Sequence, residues 1–123
     1  MPATRTVAII DDDRHLRESI QDLLETAGLS SLLFPSADAF LHERGYEDVN
    51  CILSDVKMPG TSGIELIDIL GEMGGCPPVL IMTSYADKQT KATALNKGAV
   101  AFLPKPLDSD EVLRCLETAV RGT

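Results

Sequence analysis

Five short apolar runs punctuate the chain, at residues 7–10, 31–34, 51–54, 79–82 and 101–103. Runs of this length, rich in Val, Ile and Leu and bounded by breakers, read as strands buried on both faces. Between them apolar residues return at helical spacing. Leu16, Ile20, Leu23, Leu24 and Ala27 mark a helix over about residues 14–27, with Gly28 as its C-terminal cap. Ser36 caps a helix carrying Ala39, Phe40 and Leu41, which Gly45 closes. Ser62 and Glu65 form a capping box opening a helix with Ile64, Ile67, Leu70 and Met73 inward, ended by Gly74 and Gly75. The next helix, about 88–97, has only Ala92 and Leu95 as an apolar stripe, so it is expected to dock weakly; Gly98 caps it. The run from Asp108 to Glu111 caps a last helix buried through Val112, Cys115, Leu116, Ala119 and Val120. Strand and helix thus alternate five times, which implies an α/β doubly wound parallel sheet with helices on both faces. Pro104 places the fifth strand at an edge, where a missing ladder donor is tolerated.

A chain of 123 residues is expected to form one domain spanning residues 1–123. Acids outnumber bases 19 to 11, a net charge of −8, which argues against nucleic-acid binding by this segment and suits a cation partner. Three cysteines, Cys51, Cys76 and Cys115, are odd in number and form no CxxC pair. A reducing cytoplasm is the expected setting. The N-terminal apolar run is too short for a signal peptide or a membrane span.

In a doubly wound sheet the ligand site lies beyond the carboxyl ends of the strands, where strand order reverses. Polar residues collect there. Asp11, Asp12 and Asp13 follow the first strand, Asp55 ends the third, Thr83 and Ser84 follow the fourth, and Lys105 follows the fifth. Asp11, Asp12 and Asp55 offer the hard oxygens that suit Mg²⁺. A carboxylate can also act as a nucleophile and form an acyl phosphate. Lys105 can neutralise phosphoryl oxygens, the Thr83 hydroxyl can donate to them, and small Ser84 leaves room. Asp13 reads as a helix cap. His15 and His42 fall on helical surfaces away from the site, and Cys51 and Cys115 read as small buried hydrophobes.

These residues, with the stretches Ile10-Asp11-Asp12, Ser54-Asp55-Val56-Lys57-Met58-Pro59-Gly60, Thr83-Ser84 and Lys105-Pro106, resemble the receiver domain of bacterial two-component response regulators. The match covers nearly the whole chain. It implies a flavodoxin-like (βα)5 fold of the CheY type, strand order 2-1-3-4-5, and a cis Lys105-Pro106 peptide. It implies that Asp55 accepts a phosphoryl group from a sensor histidine kinase, and that Asp11, Asp12, Asp55 and the main-chain carbonyl of Lys57 hold Mg²⁺. Thr83 and Lys105 would contact the phosphoryl group, and Lys57 and Tyr85 would flank it. Phe102 falls on an aromatic switch position but reads equally as plain core. Phosphorylation is then expected to turn Thr83 toward the phosphoryl group and let Phe102 move. That changes the surface of the fourth helix and fifth strand and favours a homodimer. The run from Phe34 to Leu41 is most similar to FixJ-type transcriptional regulators, in which a DNA-binding helix-turn-helix domain follows the receiver. This chain stops at Thr123, where the fifth helix is expected to end, as a stand-alone receiver or an excised domain would. The protein is expected to catalyse only its own phosphorylation and dephosphorylation.

Three other classes make distinct demands. An aspartyl-phosphate hydrolase needs an Asp-x-Asp pair and a cap region, but Val56-Lys57 follows Asp55. A flavodoxin relative needs a Ser/Thr/Gly-rich phosphate loop after the first strand, where this chain has three acids. A degenerate receiver, used only for binding, would not need the intact acid set.

Overall fold

The alternation resolves into the elements β1 (Thr6–Ile10), α1 (Arg14–Thr26), β2 (Ser30–Phe34), α2 (Ala37–His42), β3 (Cys51–Asp55), α3 (Gly63–Glu72), β4 (Val79–Thr83), α4 (Lys88–Asn96), β5 (Ala101–Pro104) and α5 (Ser109–Arg121). A computed structural model of the chain describes residues 5–47, 49–74, 77–84 and 88–121. The strands form one parallel sheet in the order β2-β1-β3-β4-β5. Both β1 and β3 lie inside the sheet, and each is buried almost throughout. β5 is an edge strand, as its proline requires.

Strand side chains alternate between the two faces, and the core divides accordingly. Val7, Ile9, Leu53, Leu80, Met82 and Leu103 pack on α1 and α5 through Ile20, Leu24, Val112 and Leu116. Ala8, Ile10, Ile52, Val79 and Ile81 pack on the other face with Phe40 of α2, Leu66, Ile67 and Leu70 of α3, and Ala94 of α4. Caps set the helix starts. Asp13, Ser36 and Ser62 accept backbone N–H bonds at the first turns of α1, α2 and α3, and the Ser62–Glu65 capping box is complete in both directions.

Three local readings need correction. The inner face of α3 is Leu66, Ile67 and Leu70, with Ile64 half-buried and Met73 exposed. In α4 it is Ala94 that is buried, while Ala92 and Leu95 face outward. In α3 the expected Ile67 and Leu70 do face inward, and the stripe differs only at Leu66, Ile64 and Met73; in α4 the phase itself differs, because a nearly featureless stripe does not fix a helix rotation. Weak docking of α4 stands on firmer ground for it, since one alanine is the helix's only buried residue. After α2, the left-handed residue is Arg44 (φ 54°) rather than Gly45. Gly45 is needed for space: a Cβ there would sit 2.7 Å from both Phe34 and Phe40. Those two rings meet edge to face, with centroids 5.1 Å apart.

Gly63 has a related role closer to the strand ends. A Cβ on it would lie 2.2 Å from the backbone carbonyl oxygen of Asp55. Only glycine lets α3 start against the end of β3, where the Gly63 N–H also donates to the Val56 carbonyl at 3.0 Å. Gly71, in the same helix, has open space around it. Gly63→Ala should therefore destabilise the fold by ~1–3 kcal/mol through overpacking against backbone. Gly71→Ala should stabilise it by up to ~1 kcal/mol through helix propensity. Urea denaturation of the two variants checks the opposite signs.

Candidate functional site

The three acids after β1 take three different positions. Asp11 continues the ladder, its N–H donating to the Phe34 carbonyl at 3.2 Å, and is fully buried. Its Oδ1 accepts from the Asp13 N–H at 2.8 Å, and its carbonyl accepts from Arg17 Nη1 at 2.6 Å. Asp13 turns outward to cap α1, accepting from the N–H groups of His15 and Leu16. Asp12, between them, is exposed. Three consecutive acids thus take three environments, one buried, one open to solvent and one capping a helix, the last as expected for Asp13.

Asp55 closes β3 opposite Met82 and is only 7% exposed. Continuing the strand alternation puts Asp11 and Asp55 on the α1/α5 face of the sheet, since Ile9 and Leu53 lie there. Lys105 reaches the same place from beyond β5. Its Nζ lies 2.9 Å from Asp11 Oδ2 and 3.2 Å from Asp55 Oδ2. Its main-chain N–H donates to the Thr83 carbonyl at 2.9 Å, tying the ends of β4 and β5 together, and the Lys105-Pro106 peptide is cis as expected. Ligand oxygens of Asp11, Asp12 and Asp55 all fall within 4.8 Å of one another. That donor set, all carboxylate, fits a hard divalent cation such as Mg²⁺.

Electrostatics follow from the crowding. Burial, and then the charge of Asp11, push the Asp55 carboxyl above its ordinary range, against the opposing pull of Lys105. Burial works to lower the Lys105 pKa, but its hydrogen bond and charge interaction with Asp11, and then Asp55, carry it above its ordinary value. The ammonium therefore stays charged and is shared by two acids. Deeper on the same face of the sheet, Cys51 shows what burial does without a neighbouring charge: desolvation pushes its thiol up to about 12, against a weak bond to the Ile52 carbonyl.

The remaining expected residues sort by face. Thr83 is buried, and alternation from Ile81 puts it on the α3/α4 side, which it shares with half-buried Phe102. Ser84 and Lys57 are exposed. Lys57 borders a groove with Asp12, Val56, Met58, Pro59 and Ser62, open to solvent beside the acids. His15 and His42 are on the surface, Cys51 is buried and Cys115 half-buried. Tyr85, Cys76 and Gly75 lie outside the described residues.

Two features escaped the sequence reading. Gly63 was taken only as part of a cap. Asp38 was passed over, yet its carboxylate accepts from Thr61 Oγ1 at 2.6 Å and from the Thr61 N–H at 3.3 Å. No pattern in the chain pairs residues 23 apart on two different elements.

With this geometry in place, the comparisons with known proteins are specific. Residues 7–117 match the family model for the response regulator receiver domain. The chain is 39% identical over 115 residues to the transcriptional regulatory protein FixJ of Bradyrhizobium diazoefficiens, covering 94% of this chain and 56% of that protein. It is 34% identical to the DNA-binding transcriptional regulator NtrC of Klebsiella pneumoniae, covering 91% of this chain and 24% of that one. Among solved structures, FixJ-N superposes with a TM-score of 0.87 at 30% identity, covering 99% of this chain and 98% of that one. The chain spans about half the length of the FixJ proteins it matches. A parallel sheet in the order 2-1-3-4-5, an acid cluster bridged by a strand-end lysine and a family match over most of the sequence agree: the chain belongs to the response regulator receiver domain family.

Proposed function

We propose that Asp55 is the phosphoacceptor of a two-component system, loaded by a sensor histidine kinase, and that the receiver unit takes in residues 1–123. The observation that carries this reading is the Lys105 ammonium held between Asp11 and Asp55 inside a three-carboxylate cluster. Asp11, Asp12, Asp55 and the main-chain carbonyl of Lys57 would hold Mg²⁺, which supplies charge neutralisation and orientation for phosphoryl oxygens. One Asp55 oxygen attacks phosphorus in line with the departing nitrogen of the kinase's phosphohistidine. The P–N bond breaks, its electrons leave with the imidazole, and an acyl phosphate forms. Lys105, already 3.2 Å from Asp55 Oδ2, follows the incoming charge, and the Thr83 hydroxyl donates to it. Hydrolysis reverses the state, so the domain's catalysis is confined to its own phosphorylation and dephosphorylation.

The output surface lies on the opposite face of the sheet. Thr83 and Phe102 share that face with Ala94 of α4, so a turn of Thr83 toward the phosphoryl group is felt by α4 and β5. The partner side of this reading is a cytoplasmic homodimer formed on phosphorylation, and a DNA-binding transcription-activation domain under its control. The domain itself binds neither nucleic acid nor membrane. Among the described residues, no helix is long and apolar enough to cross a membrane.

Incubation with acetyl phosphate and Mg²⁺ should add one phosphate by intact mass, and Asp55→Asn should abolish it; equal labelling of the variant overturns the assignment. A second expectation concerns stability in chelator. Because the folded state raises the Asp55 pKa above the ordinary 3.8, its ionised form disfavours folding. The contribution of protonated Asp55 to stability is complete below 3.8 and is lost as pH rises through the folded pKa. Asp55→Asn should therefore melt above wild type at pH 7, with the gap closing below pH 3.8, and saturating Mg²⁺ should raise the wild-type melting temperature. Differential scanning calorimetry reads all three. Finally, beryllofluoride, a phosphoryl mimic, should change amide exchange in α4 and β5 and promote dimers in sedimentation. Unchanged exchange with the mimic bound would refute the switch.

A further inference from the structure

The loop that carries the Lys57 carbonyl runs from the end of β3 to the start of α3, residues 56–62. Its two ends are pinned locally. The Val56 N–H donates to the Met82 carbonyl at 3.1 Å, and the Ser62–Glu65 capping box fixes the far end. Its middle is held from another element. Asp38, in the first turn of α2, accepts from both Thr61 Oγ1 and the Thr61 N–H, 2.6 and 3.3 Å away. The same carboxylate lies over Gly60, where an added Cβ would be 2.1 Å from Asp38 Oδ2. Gly60 is left-handed, with φ at 80°. That is a conformation glycine adopts without strain, and it turns the chain so that the Thr61 donors meet the carboxylate. The Thr61 hydroxyl, and then its N–H, hold the Asp38 carboxyl below its ordinary range, so it remains an anion that accepts from both.

We propose that Asp38 is a positioning residue for the metal site: it latches the 56–62 loop so that the Lys57 carbonyl is presented toward Asp11, Asp12 and Asp55. The inference rests on the Mg²⁺ reading above. Both of these Asp38 bonds go to Thr61, four residues beyond Lys57. Asp38 acts by reducing the freedom of the loop, so that less ordering remains to be done when the cation binds. The same loop forms one wall of the groove beside Asp12, and the latch holds that wall as well.

The test is Mg²⁺ titration of the chain by calorimetry, with amide exchange followed over residues 57–62. Asp38→Ala should weaken Mg²⁺ binding about three- to ten-fold and speed exchange at Gly60 and Thr61. Thr61→Val, which keeps only the main-chain donor, should do the same to a smaller extent, while Thr61→Ser, which keeps both donors, should bind as wild type. The double variant Asp38→Ala/Thr61→Val should bind no more weakly than Asp38→Ala alone, because Asp38→Ala already removes both bonds. Asp12→Asn separates this proposal from the reading beneath it. It should abolish most Mg²⁺ binding and leave exchange at Gly60 and Thr61 unchanged. If wild type binds Mg²⁺ and Asp38→Ala binds it equally well while its loop exchanges faster, the latch is merely structural and the proposal is overturned. Thr61→Ser binding as weakly as Thr61→Val overturns it too. A wild type that takes up no Mg²⁺ overturns the metal reading and the latch with it.

Discussion

Two carboxylates and one ammonium, none of them well solvated, meet at the carboxyl ends of three strands. Asp11 is wholly buried and Lys105 is 17% exposed, so neither can be left alone without a large desolvation cost. The geometry leaves this group one cation short of balance, with Asp12 adding a third anion from the solvent side. Much of the surrounding structure serves to hold that arrangement. Arg17 grips the carbonyl behind Asp11, the Thr83 carbonyl anchors the Lys105 backbone, and Gly63 lets α3 close on the carbonyl of Asp55.

The sheet separates the acid cluster from the buried side of α4. Period-two alternation sends the acids and the lysine toward α1 and α5. It sends Thr83 and Phe102 toward α3 and α4, while the Lys105 N–H bond to the Thr83 carbonyl links the two sides through the backbone. Under the proposed function, a charge change on one face would pass through residues at the ends of neighbouring strands, with no long side-chain relay needed. α4 is lightly held. Beyond its single buried alanine, the chain at its C-terminal side is tied down by the Lys97–Asp68 ion pair at 2.6 Å. That contact is exposed and correspondingly weak.

Most of this was legible in the chain, and the reasons are physical. Strands buried on both faces must be apolar throughout, so their ends are sharp, and the acids, Thr83 and Lys105 stand out where the apolar runs stop. The strand order and the cis peptide came from family resemblance, since neither leaves a mark in composition or periodicity. Helix rotation was less legible. Leu66 against Ile64 and Met73, or Ala94 against Ala92 and Leu95, differ by less than the width of the stripe in a short helix. Contacts between distant elements were not legible at all. Asp38 reads as an ordinary first-turn acid, favourable to the helix dipole, until Thr61 is seen beside it.

The sparse anchoring of α4 has a consequence for how such a domain diversifies. A helix that commits one of its nine residues to the core leaves the rest outside the constraints that fix the sheet. Substitutions there neither open cavities nor orphan charges, so drift can rewrite the outer face of α4 at little cost to folding. The acid cluster has no such latitude, because Lys105 is the counterion of both Asp11 and Asp55. A domain built this way can take on a new outer face at α4 while the charges that hold its acid cluster together stay in place.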